Sequence, residues 1–354
     1  MPHRRTLKAG SLALALAFSV SARADDITLV SGSNVKGAVG GHVRGDIQAE
    51  SSKEVSVKLG NNTIAVPTDQ IVSIAYSKQP PSMSLAESRE NAGALADAAD
   101  LYKKAAGEAS GTPFALQAAL FHQANALAEL ALADPSKTAE AVGLLDSFVK
   151  TYPTGRHIVS ALDSLARLQL NKGDYAGVEK TVAEMEKQPQ SSDRAAVLKA
   201  KISAKKGEHD KAITSLDLLI KNAPEGSQRQ REARLAKAES LAALKKYTEA
   251  EKEVTAVIKT LPKEDYQGMS AAYNTLGDCL RAAGKPKDAL MAYLKTDVLF
   301  NKDKEQHPRA LAQISQLWRV LKQDTRADEV FQKLKQEYPS SPYVASASKG
   351  GATP

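Results

Sequence analysis

The sequence predicts a mainly α fold: an α–α superhelical solenoid preceded by a small antiparallel β-barrel-like module. Three observations predict it. Small residues opening amphipathic segments recur at Ala141, Val178, Ala212, Ala250, Ala289 and Ala327, with spacings of 37, 34, 38, 39 and 38 residues. Pro153, Pro224, Pro262 and Pro339 each stand 12 residues after one of them, where proline ends a helix and starts a turn. Residues 25–77 instead alternate apolar and polar in short runs split by Gly and Asn, the pattern of hairpin-linked strands. A period of tens of residues marks stacked units, none of which buries its apolar face alone.

Composition agrees. The 354 residues are 42% hydrophobic, 5% aromatic and 25% charged, which suits a folded chain of two or three domains. Few aromatics and much alanine suit helices stacked closely. The formal charge is +7, but residues 1–24 contribute Arg4, Arg5, Lys8 and Arg23 and no acid. The remainder holds 44 basic and 41 acidic residues, too balanced for a nucleic-acid surface. One cysteine, Cys279, excludes an intrachain disulfide and a Cys-rich metal site.

Residues 1–24 read as a signal peptide. Arg4, Arg5 and Lys8 form a basic region, Ala9 to Val20 an apolar run of 12 residues, and Ala22-Arg23-Ala24 a small-x-small cleavage pattern. The run is well short of the roughly 20 residues a membrane span needs. No cysteine follows the cleavage site, so a lipoprotein anchor is not expected. A periplasmic or secreted protein is, without a transmembrane span in the mature chain.

Residues 25–77 carry Ile27 and Leu29, Val43 and Ile47, Val55 and Val57, Ile64 and Val66, and Ile71, Ile74 and Tyr76 as apolar alternations. About five strands in a meander follow from these and from the turns at Gly40-Gly41 and Gly60-Asn61-Asn62. Residues 78–83 read as a linker, because Pro80-Pro81 breaks helix and strand alike. Ser84 is then expected to cap a helical run through Glu108, with Leu95, Ala98, Ala99 and Tyr102 on one stripe. The solenoid spans 84–343 in six to seven repeats. Its intra-pair turns are marked by Gly173, Gly207 and Gly284. A disordered tail is expected over 344–354.

The best-formed unit is Tyr273 to Thr296. Tyr273, Leu276, Gly277 and Leu280 share one helical face, and Ala289 and Tyr293 share another beyond Gly284 and Pro286. It resembles a tetratricopeptide repeat, with Tyr273 in place of the Trp, Leu280 of the first Tyr and Tyr293 of the Phe. Tyr152-Pro153, Ala223-Pro224 and Tyr338-Pro339 at unit ends resemble bacterial envelope repeat proteins, such as outer-membrane assembly lipoproteins and the Tol–Pal coordinating protein. Pro67-Thr68-Asp69-Gln70 resembles the turn before the last strand of SH3-like and Sm-like small barrels. The resemblance implies a right-handed superhelix whose first helices line a concave groove.

That groove supplies the candidate site. Carried by register, its polar column is Asp163, Arg167, Lys201, Glu239, Asn274, Asp278, Arg281, Gln316 and Arg319. The expected ligand is a protein or an extended peptide. The Lys/Asn carboxylate clamp of the family's chaperone adaptors is not reproduced, since Val197 and Leu235 occupy places it needs polar. No chemistry competes with this. The six histidines form no helical i, i+4 pair, and neither H-E-x-x-H nor G-x-S-x-G occurs. No enzyme activity, metal or cofactor is expected. Cys279 reads as an inert thiol and Trp318 as core.

Overall fold

The computed structural model describes residues 24–109 and 111–348. Of the expected signal peptide, residues 1–24, all but Ala24 lies outside the described residues, as do residues 349–354 of the expected tail. Five strands come first: β1 (Asp25–Leu29), β2 (His42–Glu50), β3 (Glu54–Leu59), β4 (Asn62–Pro67) and β5 (Ile71–Ala75). Their order is β4-β3-β2-β1-β5, each neighbour antiparallel. Ile27 stands opposite Val43 on one side and Ile74 on the other, and Val57 opposite Ile47 and Ile64. One face is thus aliphatic, as the period-2 pattern requires.

The expected barrel-like closure does not form. β4 and β5 are the two edges and do not pair with each other. The open apolar face is covered by helices instead. Ile27, Val43, Val57 and Ile74 share one core with Met83, Ala86, Tyr102 and Ala115 of the first three helices. The sheet is therefore the end cap of the solenoid rather than a separate body on a linker.

Seven helix pairs follow: α1 (Pro81–Asn91) with α2 (Leu95–Glu108), α3 (Pro113–Ala133) with α4 (Thr138–Thr151), and α5 (Ile158–Lys172) with α6 (Tyr175–Glu186). Next come α7 (Ser192–Lys205) with α8 (His209–Asn222), α9 (Gln228–Ala243) with α10 (Tyr247–Thr260), α11 (Tyr266–Ala282) with α12 (Pro286–Leu299), and α13 (Gln306–Val320) with α14 (Asp324–Glu337). The register read from the sequence holds. Ala141, Val178, Ala212, Ala250, Ala289 and Ala327 are all fully buried. Pro153, Pro224, Pro262 and Pro339 each lie just past a helix C-cap.

Some boundaries differ. The helix expected to start at Ser84 starts at Pro81, with Pro80 as its N-cap. Proline suits the first helical position, where its missing N–H has no partner to lose. The run to Glu108 is two helices, broken where Gly93 takes φ +75°. The intra-pair turn uses positive φ at Gly173, Gly207 and Gly284, but also at Lys245 and Lys322, with φ 62° and 59°. Residues 344–348 are not tail. They belong to α15 (Pro342–Ser348), whose Ala347 packs fully buried against Leu311 and Leu334 and caps the last pair.

Gly277 shows why the small residues matter. A Cβ there would stand 2.6–2.7 Å from the ring of Tyr293, which is itself fully buried. The α11 backbone and the α12 aromatic approach because glycine leaves room. Trp318 is half-buried rather than fully in the core, packed on the cluster between α11 and α13. The Arg326 guanidinium lies 4.8 Å above its ring.

Candidate functional site

The curvature of the array decides which side chains meet. Successive first helices touch one another directly, α3 with α5, α7 with α9, α9 with α11 and α11 with α13. Among the described residues no comparably close contact joins successive second helices. The first helices are thus the inner, concave layer. They line a cavity of about 480 Å³ from α5, α7, α9, α11 and the start of α13, with Val257 and Leu261 at the end of α10 and Asp303 and Glu305 before α13.

From α3 onward, ion pairs step across this inner layer from one repeat to the next. Glu129 of α3 takes Arg167 of α5 at 2.9 Å. Asp163 of α5 takes Arg194 of α7 at 2.5 Å, and Arg194 also pairs with Glu232 of α9. Asp193 and Arg229 join α7 to α9 at 2.6 Å. Arg231 of α9 reaches Asp265, the N-cap of α11, at 3.5 Å. Asp278 of α11 pairs with Arg309 of α13. Every step places an acid and an arginine on neighbouring first helices. Each part-exposed pair contributes about 0–1 kcal/mol, so the ladder sets orientation more than stability.

The sequence-predicted residues divide accordingly. Asp163, Arg167, Lys201 and Glu239 all line the cavity. Asp278 does not line it; it is held by Arg309 and accepts from the Tyr293 hydroxyl at 2.6 Å. Asn274 is fully buried and donates to the Gln306 carbonyl at 2.8 Å. The register places it in the polar column of the groove, but its side chain is buried and ties α11 to α13. Arg319 lies outside the cavity, bound to Asp328 at 3.0 Å and to the Ala347 carbonyl at 2.9 Å. Arg281 and Gln316 are half-buried and also outside it.

Sequence reasoning missed Arg194, Arg231, Glu232, Asp265, Glu305 and Arg309. The signal was present. Asp163, Arg194 and Glu232 stand 31 and 38 residues apart, close to the repeat length, with alternating charge. Altogether five cations and six carboxylates line the cavity. Among the described residues, Lys201 and Glu239 are the charged lining groups that carry no hydrogen bond or ion pair. A polyanion such as nucleic acid finds no excess of positive charge here.

Other groupings are structural. Asp297, His307 and Tyr338 form a chain at 2.7 and 2.8 Å, but His307 is buried and ties α12, α13 and the α14 end together. Cys279 is buried, and burial pushes its thiol up to about 12, so it is no thiolate nucleophile. No cluster of three or more metal-ligating side chains occurs among the described residues. No helix among them is long and apolar enough to cross a membrane.

The sheet meets the solenoid through a polar seam. The Ser52 N–H donates to the Thr154 carbonyl at 3.1 Å, and Gln190 donates to the Ser52 carbonyl at 3.3 Å. Glu50 accepts from the Tyr76 hydroxyl at 2.8 Å and lies 3.7 Å from Arg156. Burial raises the Glu50 carboxyl above its ordinary range despite Arg156. His157 stacks on Phe121 at 4.3 Å, and its Nε2 has no partner. Burial, then Arg156, then His122 hold its imidazole well below the usual value.

Comparison with known proteins agrees with this architecture. The tetratricopeptide repeat family model matches residues 118–155 and 309–341, which fall on the α3–α4 and α13–α14 pairs. The chain thus carries tetratricopeptide repeats within a tetratricopeptide-like array, an architecture of protein-interaction scaffolds. A tetratricopeptide repeat protein from Parabacteroides merdae superposes with a TM-score of 0.53 at 16% identity, over 76% of this chain and 96% of that one. A Rap protein complexed with Competence and Sporulation Factor gives 0.52 at 12% identity, over 75% and 78%. The human IFIT1 dimer with PPP-AAAA gives 0.52 at 15%, over 72% and 57%. At these identities the likeness is one of fold. No curated protein sequence matches the chain.

Proposed function

We propose that the chain is an exported, non-enzymatic scaffold of the periplasm or cell envelope, holding an extended segment of a protein partner in its concave channel. One observation carries the reading. The ladder neutralises the arginines of the channel, while Lys201 and Glu239 remain without ion pairs on neighbouring inner helices. A channel whose other charges are ion-paired or hydrogen-bonded, with one of each sign left over, suits a segment with both signs. Its acidic residue faces Lys201 and its basic residue faces Glu239. The basic, apolar and small-residue pattern of residues 1–24 supports export. The Rap and IFIT1 structures, each solved with a ligand, support binding by arrays of this fold.

The test is site-specific photo-crosslinking in envelope fractions, from a reactive residue at Leu235, which lines the channel, or at Leu218, exposed on α8. Leu235 adducts to one protein, absent from Leu218, are expected. Equal labelling from both positions, or none from Leu235, refutes the reading.

A second reading is favoured by Val30 and Val39, in the segment between β1 and β2, and Val72 of β5, exposed at 43%, 80% and 64%. In it the sheet anchors the scaffold to envelope material. Co-sedimentation of the full chain with purified cell wall, lost on substituting all three valines by Ser, tests it. Unchanged co-sedimentation, or none by the wild type, counts against it.

A further inference from the structure

Between α12 and α13 the chain leaves the helical pattern for six residues, Phe300 to Glu305. The base of this loop is held by aromatic packing. Phe300 stacks on Tyr273 with centroids 5.6 Å apart, and the Lys302 ammonium sits 4.2 Å from the Tyr266 centroid. Its tip, Asp303-Lys304-Glu305, reaches across the concave side to the first repeats. Glu305 Oε2 accepts from Arg167 Nε at 3.0 Å and from Nη2 at 2.5 Å. Lys304 Nζ donates to the Gly93 carbonyl at 3.3 Å, in the turn between α1 and α2. These contacts join residues 138 and 211 apart in sequence and close the curved array into a ring.

The contact differs from those within the stack in joining repeats that are not neighbours. It is polar, and it is crowded with carboxylates. Arg167 already holds Glu129, which comes from the neighbouring repeat as in every other rung of the ladder. Glu305 is a second carboxylate on the same guanidinium. Burial raises the Glu129 carboxyl; Arg167 pulls it down, and Glu305 and Asp303 push it up again. Glu129 lies within α3 on the adjacent repeat, 38 residues from Arg167, whereas Glu305 is the N-cap that ends the loop, 138 residues away, so Glu305 is the exchangeable partner. Arg167 and Glu305 both line the channel.

We propose that the Phe300–Glu305 loop is a built-in pseudo-ligand: Glu305 occupies on Arg167 the place that a carboxylate of an acidic partner segment takes when the ring opens. The inference rests on the channel reading and supplies its regulation. The partner segment is acidic at the end that meets Arg167 and Lys201, and it competes with the chain's own loop. A binding-competent state that is only partly populated lowers apparent affinity by its population. Removing the Glu305 carboxylate therefore strengthens binding.

The probe is a fluorescent peptide with the sequence of residues 300–306, titrated into the full chain. Glu305→Gln is expected to bind it roughly five- to tenfold more tightly than wild type, and adding Arg167→Gln to abolish the gain. Ring opening is read separately from spin labels at Asn91→Cys and Asn301→Cys. Both positions are exposed, and the sole native cysteine is buried. Wild type should give one narrow distance distribution, and Glu305→Gln or added peptide a longer, broader one. Equal peptide affinity of wild type and Glu305→Gln overturns the proposal, as does an unchanged distance distribution. Ring opening without peptide binding in any variant overturns it too. If the Lys201→Glu, Glu239→Lys pair abolishes peptide binding while Glu305→Gln changes nothing, the channel reading stands and the pseudo-ligand falls.

Discussion

Gly277→Ala tests the packing that sets the repeat register. The added methyl would stand 2.6–2.7 Å from three atoms of the Tyr293 ring, against about 3.5–4.0 Å for an ordinary carbon contact. The ring must retreat by about 1 Å, and it has nowhere easy to go. It is fully buried, and its hydroxyl is held by Asp278 at 2.6 Å. Overpacking of this kind costs about 1–3 kcal/mol, and weakening a hydrogen bond to a charged group adds about 1–2 kcal/mol. Alanine returns about 1 kcal/mol through its better helix propensity. The net is a loss of about 1–4 kcal/mol, read by urea unfolding followed by far-UV circular dichroism. A second substitution, Tyr293→Leu, makes room, so the double variant should lose less than the sum of the two single changes. Gly277→Ala that gains the full propensity term would refute the close approach of α11 to α12.

Three further outcomes follow from the geometry. Lys245→Gly and Lys322→Gly should each stabilise by about 1 kcal/mol in thermal unfolding, since both lysines hold positive φ that costs a side-chain-bearing residue about that much; a loss at either site contradicts the backbone there. His157 is buried with its folded-state pKa below the ordinary value, so its contribution is intact above about pH 6.5 and is lost as pH falls toward the folded value. Glu50, raised by burial, acts in the opposite sense, so the comparison is with His157→Phe. The variant's stability relative to wild type should rise from pH 7 to pH 5, and a constant difference would mean the imidazole is not desolvated. Deleting residues 25–77 exposes the core shared with Met83, Tyr102 and Ala115. It should melt α1 to α3 by hydrogen exchange, and a fragment with unchanged protection there would show that the sheet is not a cap.

The repeat register was legible because local geometry dictates it. A helix crossing needs a small residue, as at Ala289, and a helix end accepts proline, as at Pro262. The five strands were legible from their alternation. Whether their edges join was not, because alternation places side chains on a face and says nothing about which edges meet. The turns at Lys245 and Lys322 escaped a search for glycine, since the hydrogen bonds that close the helix, such as Lys246 N–H to the Leu241 carbonyl and Gln323 N–H to the Trp318 carbonyl, hold positive φ there on residues that disfavour it. The channel residues were placed in register, but their partners were not foreseen. Asp278 meets Arg309 at the repeat spacing of 31 residues, a signal present but not used, whereas Arg167 faces Glu305 only because the array curves, and curvature is summed over many helix contacts. Asn274 was misread for a related reason: its side chain points between α11 and α13 rather than away from them.

The central claim is that Lys201 and Glu239 together receive a two-signed segment of the partner. It is tested by the association rate of the partner captured from Leu235, measured against ionic strength for wild type and for Lys201→Glu with Glu239→Lys. Complementary charges speed encounter and are screened by salt. The exchanged variant should associate more slowly at low salt, with a shallower salt slope, and should unfold at the wild-type temperature. Equal rates and equal slopes would show that neither side chain meets the partner and that the channel is not its binding site.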